Sequence, residues 1–70
     1  MATRFLTLAD VQEALNVSAA QAYALVRTGE LKAMKIGGRG EWRVAADDLD
    51  DYIERMYAQT AQQIREQQQS

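Results

Sequence analysis

The sequence predicts a mainly α domain with a small β-hairpin, and three observations lead there. Apolar residues recur at helical spacing in three stretches, 8–15, 22–26 and 49–56. Residues that start or stop helices stand beside them, Thr7, Ser18 and Gly29 among them. Between Leu31 and Val44 a basic segment folds about a glycine-rich tip at residues 37–40.

Seventy residues, 47% apolar and 26% charged, make one globular domain near the lower size limit for a single core. Cysteine and histidine are both absent. That removes disulfides, thiolate and imidazole metal sites, cysteine nucleophiles and histidine bases together, and argues against an enzyme. No apolar run approaches the roughly 20 residues of a membrane span, and the N-terminus lacks a signal-peptide layout. A cytoplasmic location is therefore expected. The net charge of −2 hides a split. Residues 1–45 carry six basic and four acidic side chains, net +2, whereas 46–70 carry two and six, net −4. Within 31–44 four cations face one anion, net +3. Local patches, not totals, decide contacts with phosphates.

The first helix starts behind Thr7, whose hydroxyl can cap the amide of Asp10. Asp10 stands where a glutamate or glutamine would complete a capping box, so this box reads as imperfect. Leu6 and Val11 occupy the staple positions, and Leu8, Val11 and Leu15 share a face with Gln12 and Glu13 turned outward. Asn16 and Val17 make a tight connection. Ser18 and Gln21 then form a full capping box, Ala22, Leu25 and Val26 supply a buried stripe, and Gly29 suits the left-handed end of a helix. Two short helices joined so tightly have the geometry of a helix-turn-helix.

By elimination, Ala19, Ala20, Tyr23, Ala24 and Arg27 face outward on the second helix. Small residues near its start would let it sink into a DNA major groove, where Ser18 and the free first-turn amides can hold a phosphate. The same alanines also simply favour helix, with Tyr23 a surface ring.

For the hairpin, pairing Gly37 with Glu41 leaves a three-residue loop, Gly38-Arg39-Gly40, with Gly40 at the left-handed bulge position. Met34 and Ile36 then share a face with Trp42 and Val44 and close onto the helices. Lys35 and Arg43 oppose each other on the other face, with Arg39 at the tip. Like charges across a strand pair repel mildly, which an anion between them would relieve. A one-residue slip would place Lys35 against Trp42, which its charge disfavours. A solvated edge strand protected by charge is the plainer alternative.

Ala45 and Ala46 lack a capping oxygen, so Asp47 is the expected N-cap of the third helix. Asp47, Asp48, Asp50 and Asp51 crowd its first turn, where the helix dipole favours negative charge, and their spacing points them around the helix rather than at one metal. Leu49, Tyr52, Ile53 and Met56 should cover the core. Tyr57, Ala61 and Ile64 extend that stripe weakly into a glutamine-rich end that either continues the helix or frays.

Taken together, LTLADV, NVSAAQAYALVRTGELKAMKIG, EWRV and DLDDYI resemble the small excisionase-type, MerR-like winged helix-turn-helix proteins, including BldC-type regulators and AlpA-like phage activators. The resemblance spans roughly residues 6–53. It is carried by Ser18, Tyr23, Gly29-Glu30-Leu31, Lys35, Ile36-Gly37 and Arg43. It implies a winged helix-turn-helix over residues 1–58, followed by a glutamine-rich helical extension or tail at 59–70. It further implies a second helix (18–28) in the major groove and a wing (31–44) on adjacent phosphates or the minor groove. The candidate DNA-binding residues are Ser18, Ala19, Ala20, Gln21, Tyr23, Arg27, Lys35, Arg39 and Arg43. Departures from the family pattern are Ala19, Ala20 and Ala24 in place of basic or polar residues, Gln21 in place of threonine, and Gln12 in place of a small residue. Direct base readout thus has few donors, and the wing is expected to supply much of the affinity.

The implied partner is double-stranded DNA, and no cofactor, small-molecule ligand or membrane is expected; the protruding last helix adds the option of self-association, as a dimer through that helix or head-to-tail on DNA. A transcriptional regulator is the first expectation. A recombination directionality factor, a phage packaging subunit and a plasmid-maintenance subunit share the same features. An adaptor that no longer binds DNA is the alternative from another class, favoured by the acidic total and the alanine-rich helix.

Overall fold

The computed structural model describes residues 4–37 and 41–68. In chain order the elements are β1 (Phe5–Leu6), α1 (Leu8–Leu15), α2 (Ala19–Thr28), β2 (Met34–Ile36), β3 (Glu41–Ala45) and α3 (Ala46–Gln68). The strands form one antiparallel sheet in the order β1-β3-β2. Three helices with a β2–β3 wing make a winged helix-turn-helix, and β1 adds a strand beyond the expected hairpin.

Local chemistry sets the first half. Thr7 Oγ1 accepts from the Asp10 amide at 3.1 Å, and the Thr7 amide donates to Asp10 Oδ2 at 3.0 Å. The aspartate therefore closes a box that its side-chain type alone makes imperfect. Asn16 ends α1 in the left-handed region (φ 55°), a conformation asparagine tolerates better than most residues. Its amide and that of Val17 both donate to the Gln12 carbonyl. Ser18 then restarts the helix with a reciprocal box: Ser18 Oγ accepts from the Gln21 amide at 3.2 Å, and Gln21 Oε1 accepts from the Ser18 amide at 3.1 Å. Gly29, at φ 86°, ends α2, and the Leu31 amide bonds back to the Leu25 carbonyl.

These turns aim the apolar stripes at one core of Val11, Ala22, Val26, Leu31, Val44, Leu49 and Tyr52. Leu6, Leu8, Leu15, Leu25, Trp42, Ile53 and Met56 pack around it, half-buried. Among the described residues, no buried side-chain polar atom lacks a hydrogen-bond partner.

The wing corrects the expected register. Met34 pairs with Arg43, Lys35 with Trp42 and Ile36 with Glu41, one residue away from a Gly37–Glu41 pairing. Trp42 and Val44 do face the core, but Met34 and Ile36 lie on the other side, 43% and 46% exposed. Lys35 and Arg43 occupy opposite faces instead of confronting each other. The physical reason is that Lys35 is not buried by this arrangement. Its Nζ lies 5.0 Å from the Trp42 ring centroid while the residue stays exposed, so the ammonium keeps water and gains the ring's attraction. The slip also takes Arg43 away from Lys35 and lets it pair with Glu41 two residues back, at 3.2 Å. Gly37 is then the first residue of the turn, at φ 77°. Gly38, Arg39 and Gly40 lie outside the described residues.

The third helix also starts differently. It follows β3 directly at Ala46, so Asp47 sits inside the first turn and is not the N-cap. The Ala46 amide donates to the Arg4 carbonyl at 2.8 Å, so backbone from the chain start takes the place of a side-chain cap. β1 holds that carbonyl in place by pairing Phe5 with Ala45 and Leu6 with Val44. Further along, Arg55 Nη2 donates to the Glu30 carbonyl at 3.0 Å, fastening α3 to the segment after α2. The helix continues through Gln68, so the glutamine-rich end is helical as far as it is described.

Candidate nucleic-acid interface

The outer side of α2 is built by its inner side. Because Ala22, Leu25 and Val26 turn toward the core, Ala20, Tyr23, Ala24 and Arg27 form an exposed face, flanked by Ala19 and Gln21. Tyr23 is 47% exposed, a large aromatic surface for a residue in the first half of a helix. Ser18 and Gln21 are exposed but occupied: each uses its side-chain oxygen to cap the other's backbone amide. Gln21 keeps its side-chain NH₂ as a donor. The amides of Ala19 and Ala20 have no carbonyl partner within the helix, as in the first turn of any helix, and they lie beside the Ser18–Gln21 capping box. At the other end Thr28 Oγ1 donates to the Ala24 carbonyl, so Arg27 is the cationic group of the last turn.

The wing presents its cations separately. Lys35 rests over Trp42 on the core-facing side of the ribbon, at its exposed margin. Arg43 is on the far side, where Nη2 contacts Glu41 Oε2 and Nη1 donates to the Trp42 carbonyl at 2.9 Å. A phosphate reaching Arg43 would compete with Glu41. Arg39 falls outside the described residues.

The structure thus gathers Ser18, Ala19, Ala20, Gln21, Tyr23 and Arg27 on one helix end and face, and divides Lys35 from Arg43. Two residues beside these are not singled out by a reading of the sequence. Trp42 supports Lys35 as well as the core, and a cross-strand lysine–tryptophan pair is the available signal. Lys32 is exposed on the approach to the wing, and only the local charge balance points to it. Among the described residues, no group of three acidic side chains is placed to hold a metal ion, and no helix is long and apolar enough to cross a membrane.

The model of a family described as a helix-turn-helix domain matches residues 5–57, from β1 to just beyond the last core residue of α3. No curated protein and no solved structure matches the chain.

Proposed function

The chain belongs to the helix-turn-helix domain family, as a small DNA-binding protein, and from that premise we propose that it is a transcriptional regulator. In this reading α2 lies in the major groove and the wing rests on the neighbouring backbone or minor groove. The protein acts in the cytoplasm as a binding module and not as a catalyst. The observation that carries the reading is the exposed face of α2, where alanines give close approach and Tyr23 and Arg27 supply the polar groups. The first-turn amides of Ala19 and Ala20, beside the Ser18–Gln21 cap, add backbone donors for a phosphate. Because only Gln21, Tyr23 and Arg27 offer side-chain donors there, phosphate contacts carry most of the affinity.

Selection of bound DNA from a random pool supplies the target. On that target, Arg39→Ala with Arg43→Ala should weaken binding to every sequence. It should also flatten the salt dependence by about 0.9 in log K per log salt for each phosphate the variant no longer neutralises. Ala20→Gln should instead change the base preferred at one position. An unchanged salt slope in the wing variant would overturn the wing's role. Absence of salt-dependent DNA binding would favour the adaptor, and an effect on excision by an integrase without an effect on transcription would favour the directionality factor.

A further inference from the structure

The last half of α3 is a helix without a body to lie on. Met56 is its final residue packed against the core, yet the helix continues to Gln68, about 18 Å further at 1.5 Å per residue. A helical segment of this length is marginal in water unless its apolar face is covered. That face exists: Tyr57, Thr60 and Ile64 continue from the half-buried Ile53 at steps of four, three and four, with Tyr57 74% and Ile64 50% exposed. Beside it, where α3 passes the end of α1, lies an open groove of about 410 Å³ lined by Ala14, Leu15, Ile53, Met56, Tyr57 and Thr60. A single chain therefore carries both an apolar prong, Ile64, and a groove that its own prong cannot reach.

We infer that the occupant of this groove is a second copy of the same chain, with the two α3 helices antiparallel about a two-fold axis between Thr60 and Ala61. In that register Ile64 of each copy is level with Tyr57 of the other and enters its groove. Such a self-complementary patch is what an isologous dimer requires.

Charge selects the direction. Glu54 and Arg65 are about three helical turns apart and so lie on the same flank of α3. Antiparallel helices bring identical flanks together, which sets each Glu54 within about one helical turn of the partner's Arg65, twice over. Among the described residues neither has an ion-pair partner within its own chain. Parallel pairing would instead align the two acidic starts of α3, where Asp47, Asp48, Asp50, Asp51 and Glu54 would repel their copies.

The pairing goes beyond the DNA-binding proposal and does not depend on it, so sedimentation equilibrium of the full chain without DNA tests it separately. The wild-type chain should be a concentration-dependent dimer. Ile64→Glu should raise the dimer Kd roughly tenfold or more, because it brings a carboxylate into an apolar groove. Glu54→Arg and Arg65→Glu should each weaken the dimer, and the two together in one chain should restore it. All three side chains are exposed, and an unchanged far-UV circular dichroism spectrum confirms the fold of each variant. A wild-type chain that stays monomeric into the high micromolar range overturns the proposal. So does a dimer indifferent to Ile64→Glu, or a charge swap that fails to restore it.

Discussion

Replacing Lys35 by methionine and Trp42 by leucine, singly and together, tests the wing register through the one interaction that distinguishes it. With Nζ 5.0 Å from the ring centroid and the lysine exposed, the interaction belongs to the weakly desolvated kind, worth about 0.5–1 kcal/mol. The double-mutant cycle should return an attractive coupling of that size, distinct from the packing that the indole itself provides. For a domain of this length, each kcal/mol moves the melting temperature by about 4–8 °C, so the coupling corresponds to roughly 2–8 °C. Thermal unfolding of the four proteins, checked by urea titration, measures it. The alternative register gives the opposite signature. There Lys35 faces Arg43, so Lys35→Met would stabilise by relieving repulsion, and a Lys35/Arg43 cycle would show like-charge coupling of about 0.2–1 kcal/mol. Zero coupling of Lys35 to Trp42 together with repulsive coupling to Arg43 would refute the pairing described above.

Two further stability predictions follow from the helices and the core. Ser18→Ala removes the hydroxyl that caps α2 and releases Gln21 from its reciprocal role, and should cost about 1 kcal/mol in urea unfolding. No loss would mean that the turn, not the box, starts α2. Leu31→Ala empties a site that is 0% exposed, at an expected cost of about 2–5 kcal/mol. Against a total stability of roughly 4–10 kcal/mol for 70 residues, this loss should lower the melting temperature followed by circular dichroism by at least about 8 °C. A cooperative transition close to wild type would show that Leu31 is not central to the core.

The helix-turn-helix is legible in the sequence because its determinants are local. Thr7, Ser18 and Gly29 act on backbone within four residues of themselves, and the stripes on α1 and α2 repeat at the helical period. The outward face of α2 follows by subtraction. The wing register is where local rules mislead, because two weak effects compete there. Opposed cations need an anion to settle them, whereas a lysine laid over an indole satisfies both partners with no ligand. The start of α3 and the strand β1 are illegible for a different reason. A two-residue strand has no period, and the carbonyl that receives the Ala46 amide belongs to Arg4, near the other end of the folded domain's sequence. Local rules can see that a cap is missing there, but not that distant backbone supplies one.

That distant link also orders the folding reaction. The α1–turn–α2 unit closes only short loops, so its boxes and apolar contacts can form early. Pairing Phe5 with Ala45 requires closing a loop of about forty residues, and its entropy cost is repaid only once β3 is already in place. β1 should therefore dock late, with φ-values near zero at Phe5 and Leu6. Because the same event delivers the Arg4 carbonyl to Ala46, the long helix gains its anchor last. In the native ensemble the Ala46 amide should exchange with solvent through local detachment of β1, well before the core amides of α2.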